Sequence, residues 1–182
     1  MIGFALFTAA SAQVTIPLPW TPVPVTGQTL AVLISGAALG WRAGAASQIL
    51  YILLGTVGLP FFQNGTSGWD VVSGATGGYL VGFVVCAAIV GALAQMGQDR
   101  RIASSIPAML AGSAVIYMFG VPWLAHVLGV DAKRAIELGM APFVIGDAFK
   151  LMAAGLLLPA AWRLTRGRQD DELDGKRRDE SR

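Results

Sequence analysis

The sequence predicts an all-α integral membrane protein, folded as a compact bundle of six transmembrane helices. Of its 182 residues, 54% are hydrophobic and only 13% are charged, and the mean hydropathy of +0.61 is too high for an ordinary soluble domain. Short Gly, Pro or charged breaks separate six apolar segments, at residues 1–16, 26–39, 43–62, 71–94, 102–128 and 141–164. A span needs about 20 apolar residues to cross ~30 Å of hydrocarbon, so the last four segments are long enough by themselves.

The first two segments are short, and the stretch between them is rich in proline. Residues 17–24, called the proline strap below, hold four prolines in eight positions, which removes backbone donors and favours an extended chain. The two segments complete a crossing only if the proline strap enters the membrane surface while packed against protein. Ala10, Ser11 and Ala12 also match a signal-peptidase site, but no basic residue precedes them, which favours an uncleaved first helix.

The second outer connection, residues 61–78, contains five glycines together with neutral polar side chains such as Gln63 and Asn64. Glycine lets a backbone approach a ligand closely, and amide side chains offer both donors and acceptors. This composition predicts a lid or a wall of a binding site, and an ordinary turn between spans is the alternative.

Charge is concentrated at the carboxyl end, where seven basic and six acidic residues follow from Arg163 onward. Such a mixture is typical of a solvated tail. We therefore divide the chain into a membrane domain, residues 1–165, and a disordered cytoplasmic tail, residues 166–182. The tail gives no case for nucleic acid, and neither glycine-rich stretch matches a phosphate loop. With one cysteine and one histidine, the sequence predicts no disulfide, no multi-histidine metal site and no resident cofactor.

The basic residues predict the orientation in the membrane. With both termini in the cytoplasm, inner loops and tail hold ten basic residues and the outer loops only two, Lys133 and Arg134. This bias satisfies the positive-inside rule, and the five tryptophans fall at the ends of segments, where an interfacial belt lies among the membrane lipids.

Asp147 and Lys150 are the most informative residues, because they interrupt an otherwise uncharged apolar run. Either charge costs about 2.5–3.5 kcal/mol near the bilayer centre, so intramembrane charges usually mark a site. At a spacing of three residues they share one helix face. An ion pair that only fixes helix packing is the alternative. Tyr79 is an amphipathic ring that either lines a cavity or packs.

Small residues four positions apart, Ala5 and Ala9, give the first segment a face on which another helix can approach closely. This face serves either internal packing or the docking of a second membrane protein.

Four stretches, residues 16–40, 51–62, 74–83 and 141–150, resemble the BioY family, the biotin-specific S components of energy-coupling-factor transporters. The resemblance rests on the proline strap followed by GQTL, on TGGYL and on the GDAFK ending. It implies a six-helix membrane domain that binds biotin from outside and associates with a transmembrane coupling subunit and two cytoplasmic ATPases. It also implies a set of biotin-binding residues: Asp147, Lys150, Asn64, Gln28 and Tyr79.

The expected function is therefore biotin uptake by a subunit that has no catalytic centre of its own. Asp147 can accept from the ureido N–H groups of biotin, and Lys150 can donate to a ligand oxygen. A proton-coupled carrier of another small solute, with Asp147 as proton acceptor, is the alternative. An intramembrane hydrolase is disfavoured, because no nucleophile lies beside a base.

Overall fold

The computed structural model describes residues 1–144 together with Gly146 and Met152, and for Ile102 the backbone alone. Asp147, Lys150, most of the sixth apolar segment and the predicted tail lie outside the described residues. The described chain is mostly helical, with one 3₁₀ turn at Gln63–Gly65 and one two-stranded ladder. Its elements are α1 Ile2–Gln13, β1 Thr15–Ile16, β2 Val25–Thr26, α2 Gln28–Thr56, α3 Trp69–Ser73, α4 Gly77–Gln95, α5 Ile102–Leu128 and α6 Ala132–Gly139. The predicted all-α class is confirmed.

Three of the described helices are long and apolar enough to cross a membrane by length and composition: α4, residues Ala103–Leu128 of α5, and α2, whose 29 residues are, however, divided at Gly40. α1 is apolar as well, but has only 12 residues. α4 lies in the middle, with α2 and α5 packed against it, α1 against α2 and α6 against α5. The largest fully buried side chains include Leu33, Val90, Met109, Ile116 and Leu124.

α2 is a helical hairpin rather than one rod. Gly40 has φ 78° and ψ 174°, which interrupts the helix. The Gln28 side chain is hydrogen-bonded to Tyr51, although 23 residues of straight helix would separate them by roughly 35 Å. Residues 28–39 and 41–56 are therefore two antiparallel arms, and they correspond to the second and third apolar segments of the sequence.

Glycine makes the turn of this hairpin and lets α4 approach it. The positive φ of Gly40 suits a residue without a Cβ. A Cβ on Gly91 of α4 would overlap the backbone of Gly40 and Trp41, and the Gln95 side chain lies over Gly40 itself. The turn is thus held against the last part of α4.

The bundle has two different ends. The turn end carries Gly40 and the connection from α4 to α5, with Arg42, Arg100 and Arg101. The strap end carries the proline strap, residues 61–78 and α6, with Lys133 and Arg134. The described basic residues thus lie at the two ends of the bundle, three at the turn end and two at the strap end, and the orientation in the membrane stays a prediction. Trp20, Trp69 and Trp123 belong to the strap end and Trp41 to the turn end, whereas Trp162 lies outside the described residues.

The proline strap is not extended as predicted: Pro19 and Trp20 form a turn, in which the Thr21 N–H donates to the Leu18 carbonyl at 3.3 Å. A ladder that we did not predict closes the strap at its base. Thr15 pairs with Thr26 and Ile16 with Val25 in antiparallel register. The Thr21 hydroxyl donates to the Leu138 carbonyl of α6 at 2.7 Å. The strap is therefore tied at its base and again near its middle.

The predicted fourth segment, residues 71–94, is split in two. α3 ends at Ser73, and α4 begins only at Gly77. The indole N–H of Trp123 donates to the Gly74 carbonyl at 2.8 Å, and a Cβ on Gly77 would overlap the Val72 carbonyl. The chain folds back too tightly here for a continuous helix, and this conformation depends on the glycines.

Candidate ligand-binding cavity

A cavity lies at the strap end of the bundle, inside the proline strap. It contains about 540 Å³ of space free of atoms, counting the part that opens to solvent. Its wall comes from the strap, α2, the 3₁₀ turn, α4, α5 and the chain after α6. The residues around it are Val23, Pro24, Thr26, Gln28, Thr29, Gln63, Thr76, Tyr79, Leu80, Phe83, Ile116, Tyr117 and Phe143. Neutral polar groups and apolar rings share this wall, and none of its described residues is charged.

Gln28, the first residue of α2, is fixed by contacts on both atoms of its carboxamide. Its Oε1 accepts from the Thr26 hydroxyl at 2.8 Å, and its Nε2 donates to the Tyr51 hydroxyl of the opposite arm. Only 4% of Gln28 is exposed. A buried polar group needs such partners, and here they also fix the plane of the amide.

Tyr79, in the first turn of α4, is held across the cavity from the strap. Its hydroxyl donates to the Gly139 carbonyl at the end of α6, at 2.8 Å. A Cβ on Gly120 would overlap the Tyr79 ring, and one on Gly139 would overlap its hydroxyl. Because neither glycine has a Cβ, the Tyr79 ring has room to pack beside the cavity.

The turn that carries Gln63 is anchored by the residue before it. The Phe62 ring is fully buried and fills the space beside Gly55, where a Cβ would overlap it. The Phe62 carbonyl accepts from the Gln13 side chain of α1 at 3.1 Å. Gln63 is thus brought to the cavity by a loop that is packed on both sides.

The structure places the predicted site residues at different positions relative to the cavity. Gln28 and Tyr79 line the cavity. Asn64 instead lies in a shallower groove between the outer side of the strap and residues 63–66, and Gln63 and Pro24 line both spaces. Asp147 and Lys150 lie outside the described residues, but Phe143, four positions before Asp147, is part of the cavity wall.

Ala5 and Ala9 have exposed fractions of 0% and 6% and belong to the hydrophobic core. The small-residue face of α1 therefore packs inside the chain, which is one of the two roles its spacing left open. Burial argues against the docking role, since these methyl groups have almost no surface to offer a partner.

Sequence reasoning did not nominate the three threonines of the wall, Thr26, Thr29 and Thr76, and it named Gln63 only as part of a loop predicted to form a lid or a wall. Each of them stands within three positions of a nominated residue, in TGQT, QN or TGGY. The sequence offered one signal for these residues, which is that each lies close in sequence to a predicted site residue. This signal does not tell which side chains line the same cavity.

This arrangement can hold a small neutral or amphipathic ring. Amides and hydroxyls supply donors and acceptors, and Leu80, Phe83 and Ile116 supply apolar contact. Among the described residues, no group of three or more side chains could hold a metal ion. The fold and the cavity together define a membrane-embedded binding protein for a small solute.

Comparison with known proteins assigns the chain to a particular family within this class. The chain belongs to the BioY family, whose model matches residues 1–167. A biotin transporter BioY of Thermotoga maritima is 38% identical over 160 residues, 86% of this chain and 92% of the relative. One of Rhizobium etli is 34% identical over 160 residues, 84% of this chain and 85% of the relative. The family expected from the sequence motifs is confirmed, and these relatives are named as transporters rather than as enzymes.

The fold also matches that of a solved protein, described as the S-component for biotin from an ECF-type ABC transporter. The TM-score is 0.80 over 89% of this chain and 88% of the other, at 20% sequence identity. At this identity the likeness concerns architecture, and it supports the helical membrane fold.

Proposed function

We propose that this chain is the substrate-binding subunit of a biotin uptake system and that biotin occupies the cavity at the strap end. Membership of the BioY family carries the proposal. The cavity supports it independently, because its wall combines neutral hydrogen-bonding groups with apolar rings.

The chemistry of biotin fits such a wall. The ureido ring has two N–H donors and one carbonyl acceptor, which amide and hydroxyl groups can meet without burying a charge. The bicyclic core and the valeryl chain are apolar and suit aliphatic and aromatic side chains. Gln28 and Tyr79 are our candidates for direct contacts. Asn64 would contact the ligand on its way in, since it lies in the outer groove next to the cavity.

Asp147 and Lys150 complete the proposed site. Two described residues just before them support this assignment, because Phe143 lines the cavity and a Cβ on Gly146 would be 3.8 Å from Val25 of the ladder. The described wall has no charged group to pair with the biotin carboxylate or to strengthen a ureido contact. A carboxylate and an ammonium supplied by the next turn would provide both.

We further propose that the chain is a multi-pass protein of the bacterial cell membrane with both termini in the cytoplasm. The cavity would then open outward. A transmembrane coupling subunit and two cytoplasmic ATPases would drive inward release, and the likeness to the S-component of an ECF-type ABC transporter supports this.

The most direct test is co-purification. The chain is solubilised in detergent from cells grown with biotin, and the bound vitamin is released by heat and quantified. We expect close to one biotin per chain, without any partner subunit. A protein that remains folded but neither retains biotin nor binds it when added would contradict the proposal.

Charge variants test the site. Asp147→Asn and Lys150→Ala should each abolish biotin retention, while the amount of chain in the membrane changes little. Asp70→Asn and Lys133→Ala are matched controls, because both residues are exposed and neither lines the cavity. These controls should retain biotin fully. Normal retention by both site variants would overturn the assignment of Asp147 and Lys150.

A further inference from the structure

Tyr51 lies behind the cavity wall and does not line it. It is fully buried in the second arm of α2. Its ring packs edge to face against Phe62, with centroids 5.6 Å apart and planes at 89°, and Phe62 is itself fixed beside Gly55. The ring of Tyr51 is therefore held rigidly, and so is the position of its hydroxyl.

The Tyr51 hydroxyl is hydrogen-bonded to Gln28, the residue of the first arm whose carboxamide lines the cavity. Gln28 donates one N–H to Tyr51, and its Oε1 accepts from Thr26 at 2.8 Å. A carboxamide has two N–H donors and one carbonyl oxygen. The contact with Thr26 uses the oxygen, and the contact with Tyr51 uses one N–H. The second N–H is therefore the donor that Gln28 can offer to a ligand.

We propose that Tyr51 is a positioning residue for the ligand: it holds the Gln28 carboxamide so that the second N–H donates to the ureido carbonyl oxygen of biotin. The inference rests on the proposed function and adds a residue that does not touch the ligand. The terminal torsion of a glutamine is broad and has no strong preference of its own. The Thr26 contact alone is compatible with a range of this torsion, whereas a second contact across the hairpin narrows that range and holds the plane of the amide.

The test compares two ligands in the full-length detergent-purified chain. Biotin carries the ureido carbonyl, whereas 2-iminobiotin carries a cyclic guanidine that is protonated at neutral pH, so its exocyclic nitrogen only donates and the acceptor is lost. Both are measured by competition against labelled biotin. In Tyr51→Phe, which removes only the hydroxyl, we expect the Kd for biotin to rise about tenfold, the effect of one misplaced hydrogen bond. The Kd for 2-iminobiotin should change by less than about twofold, so the preference for biotin should fall.

Ser47→Ala is the matched control, because it removes another fully buried hydroxyl from the same arm, one that bonds to Gly44 and Gln48 and not to the cavity. It should leave both Kd values and their ratio unchanged. If Tyr51→Phe does not yield folded protein, Thr26→Val removes the other contact on the Gln28 carboxamide and should lower the same ratio.

The outcomes separate this inference from the proposed function. Equal weakening of both ligands in Tyr51→Phe would show a purely structural role, and unchanged binding of both would show no role; either result overturns the inference. A wild-type chain that binds neither ligand would instead refute the proposed function.

Discussion

Two glutamines on opposite arms of α2 have different surroundings. Gln28 is at the strap end, lines the cavity and is hydrogen-bonded to Thr26 and Tyr51. Gln48 lies nearer the turn end, where its Nε2 reaches the hydroxyls of Ser35 at 2.8 Å, Ser47 at 3.2 Å and Thr8 at 3.3 Å. Both side chains are buried, but Gln48 does not line the cavity at the strap end.

The hydroxyls around Gln48 explain its role. Each of the three also donates to a backbone carbonyl of its own helix, so each faces Gln48 as an acceptor, and the two N–H donors of Nε2 are shared among the three. Because Thr8 belongs to α1 and Ser35 to the opposite arm, Gln48 joins three helical segments. Its Oε1 has no hydrogen-bond partner among the described residues. In a protein surrounded by lipid, polar contacts of this kind hold helices together. Gln28 thus belongs to the proposed ligand site, whereas Gln48 stabilises the packing of the helices.

The largest effect should come from removing the glutamine at the cavity. In Gln28→Ala we expect the Kd for biotin to rise about a hundredfold, or about 2.7 kcal/mol, because a ligand contact is lost and the Tyr51 hydroxyl loses its partner. Equilibrium titration of the purified chain measures this. A Kd within a factor of about three of wild type would remove Gln28 from the site.

A smaller effect, on stability rather than on binding, should come from Gln48. Gln48→Ala should lower the free energy of unfolding by about 1–2 kcal/mol, because it breaks the contacts among three segments and leaves a void. The folded fraction should bind biotin with unchanged Kd. Unfolding by a graded denaturant in detergent measures the free energy of unfolding, and titration with biotin measures the Kd.

Gln48→Leu is the control for that experiment. Leucine fills most of the space and removes the unpartnered Oε1, so its cost should be smaller than that of alanine. A hydrogen-bonding role for Gln48 would be contradicted if leucine proved as stable as wild type while alanine did not, since the void alone would then account for the loss.

The smallest effect should come from Thr8. Thr8→Val preserves the shape of the side chain and removes the longest of the three contacts with Gln48 together with the local bond to the Phe4 carbonyl. We expect a loss of about 0.6 kcal/mol in the free energy of unfolding. Ser35→Ala, which removes the 2.8 Å contact, should cost more under the same conditions. The reverse order would mean that these distances do not rank the contacts.

Much of the fold could be predicted because lipid imposes a simple pattern on sequence. Apolar stretches and charged breaks located the helices, including the division between the two arms of α2, where Trp41 and Arg42 interrupt the apolar run. α3, α6 and the short ladder were missed because two to eight residues carry little periodicity. One signal was present for α6, since the Asp131 side chain caps it by accepting from the Arg134 N–H at 2.8 Å.

The candidate site could be predicted only in part. Motif resemblance nominated Gln28 and Tyr79, which line the cavity, and Asn64, which lies in the adjoining groove. Nothing in the local sequence distinguishes Gln28 from Gln48 as a ligand contact, because the difference depends on what packs on each side of the hairpin. Tyr51 stands 23 residues from its hydrogen-bond partner, and only the fold-back at Gly40 brings the two together.

The turn at Gly40 also has a consequence for biogenesis. At 1.5 Å per residue, the arms of 12 and 16 residues rise only about 18 and 24 Å, less than the ~30 Å of a bilayer core. Neither arm alone is therefore long enough to cross the core. We expect the two arms to insert into the lipid together as one hairpin, and a residue with a Cβ in place of Gly40 to lower the amount of chain in the membrane, because the turn requires a positive φ.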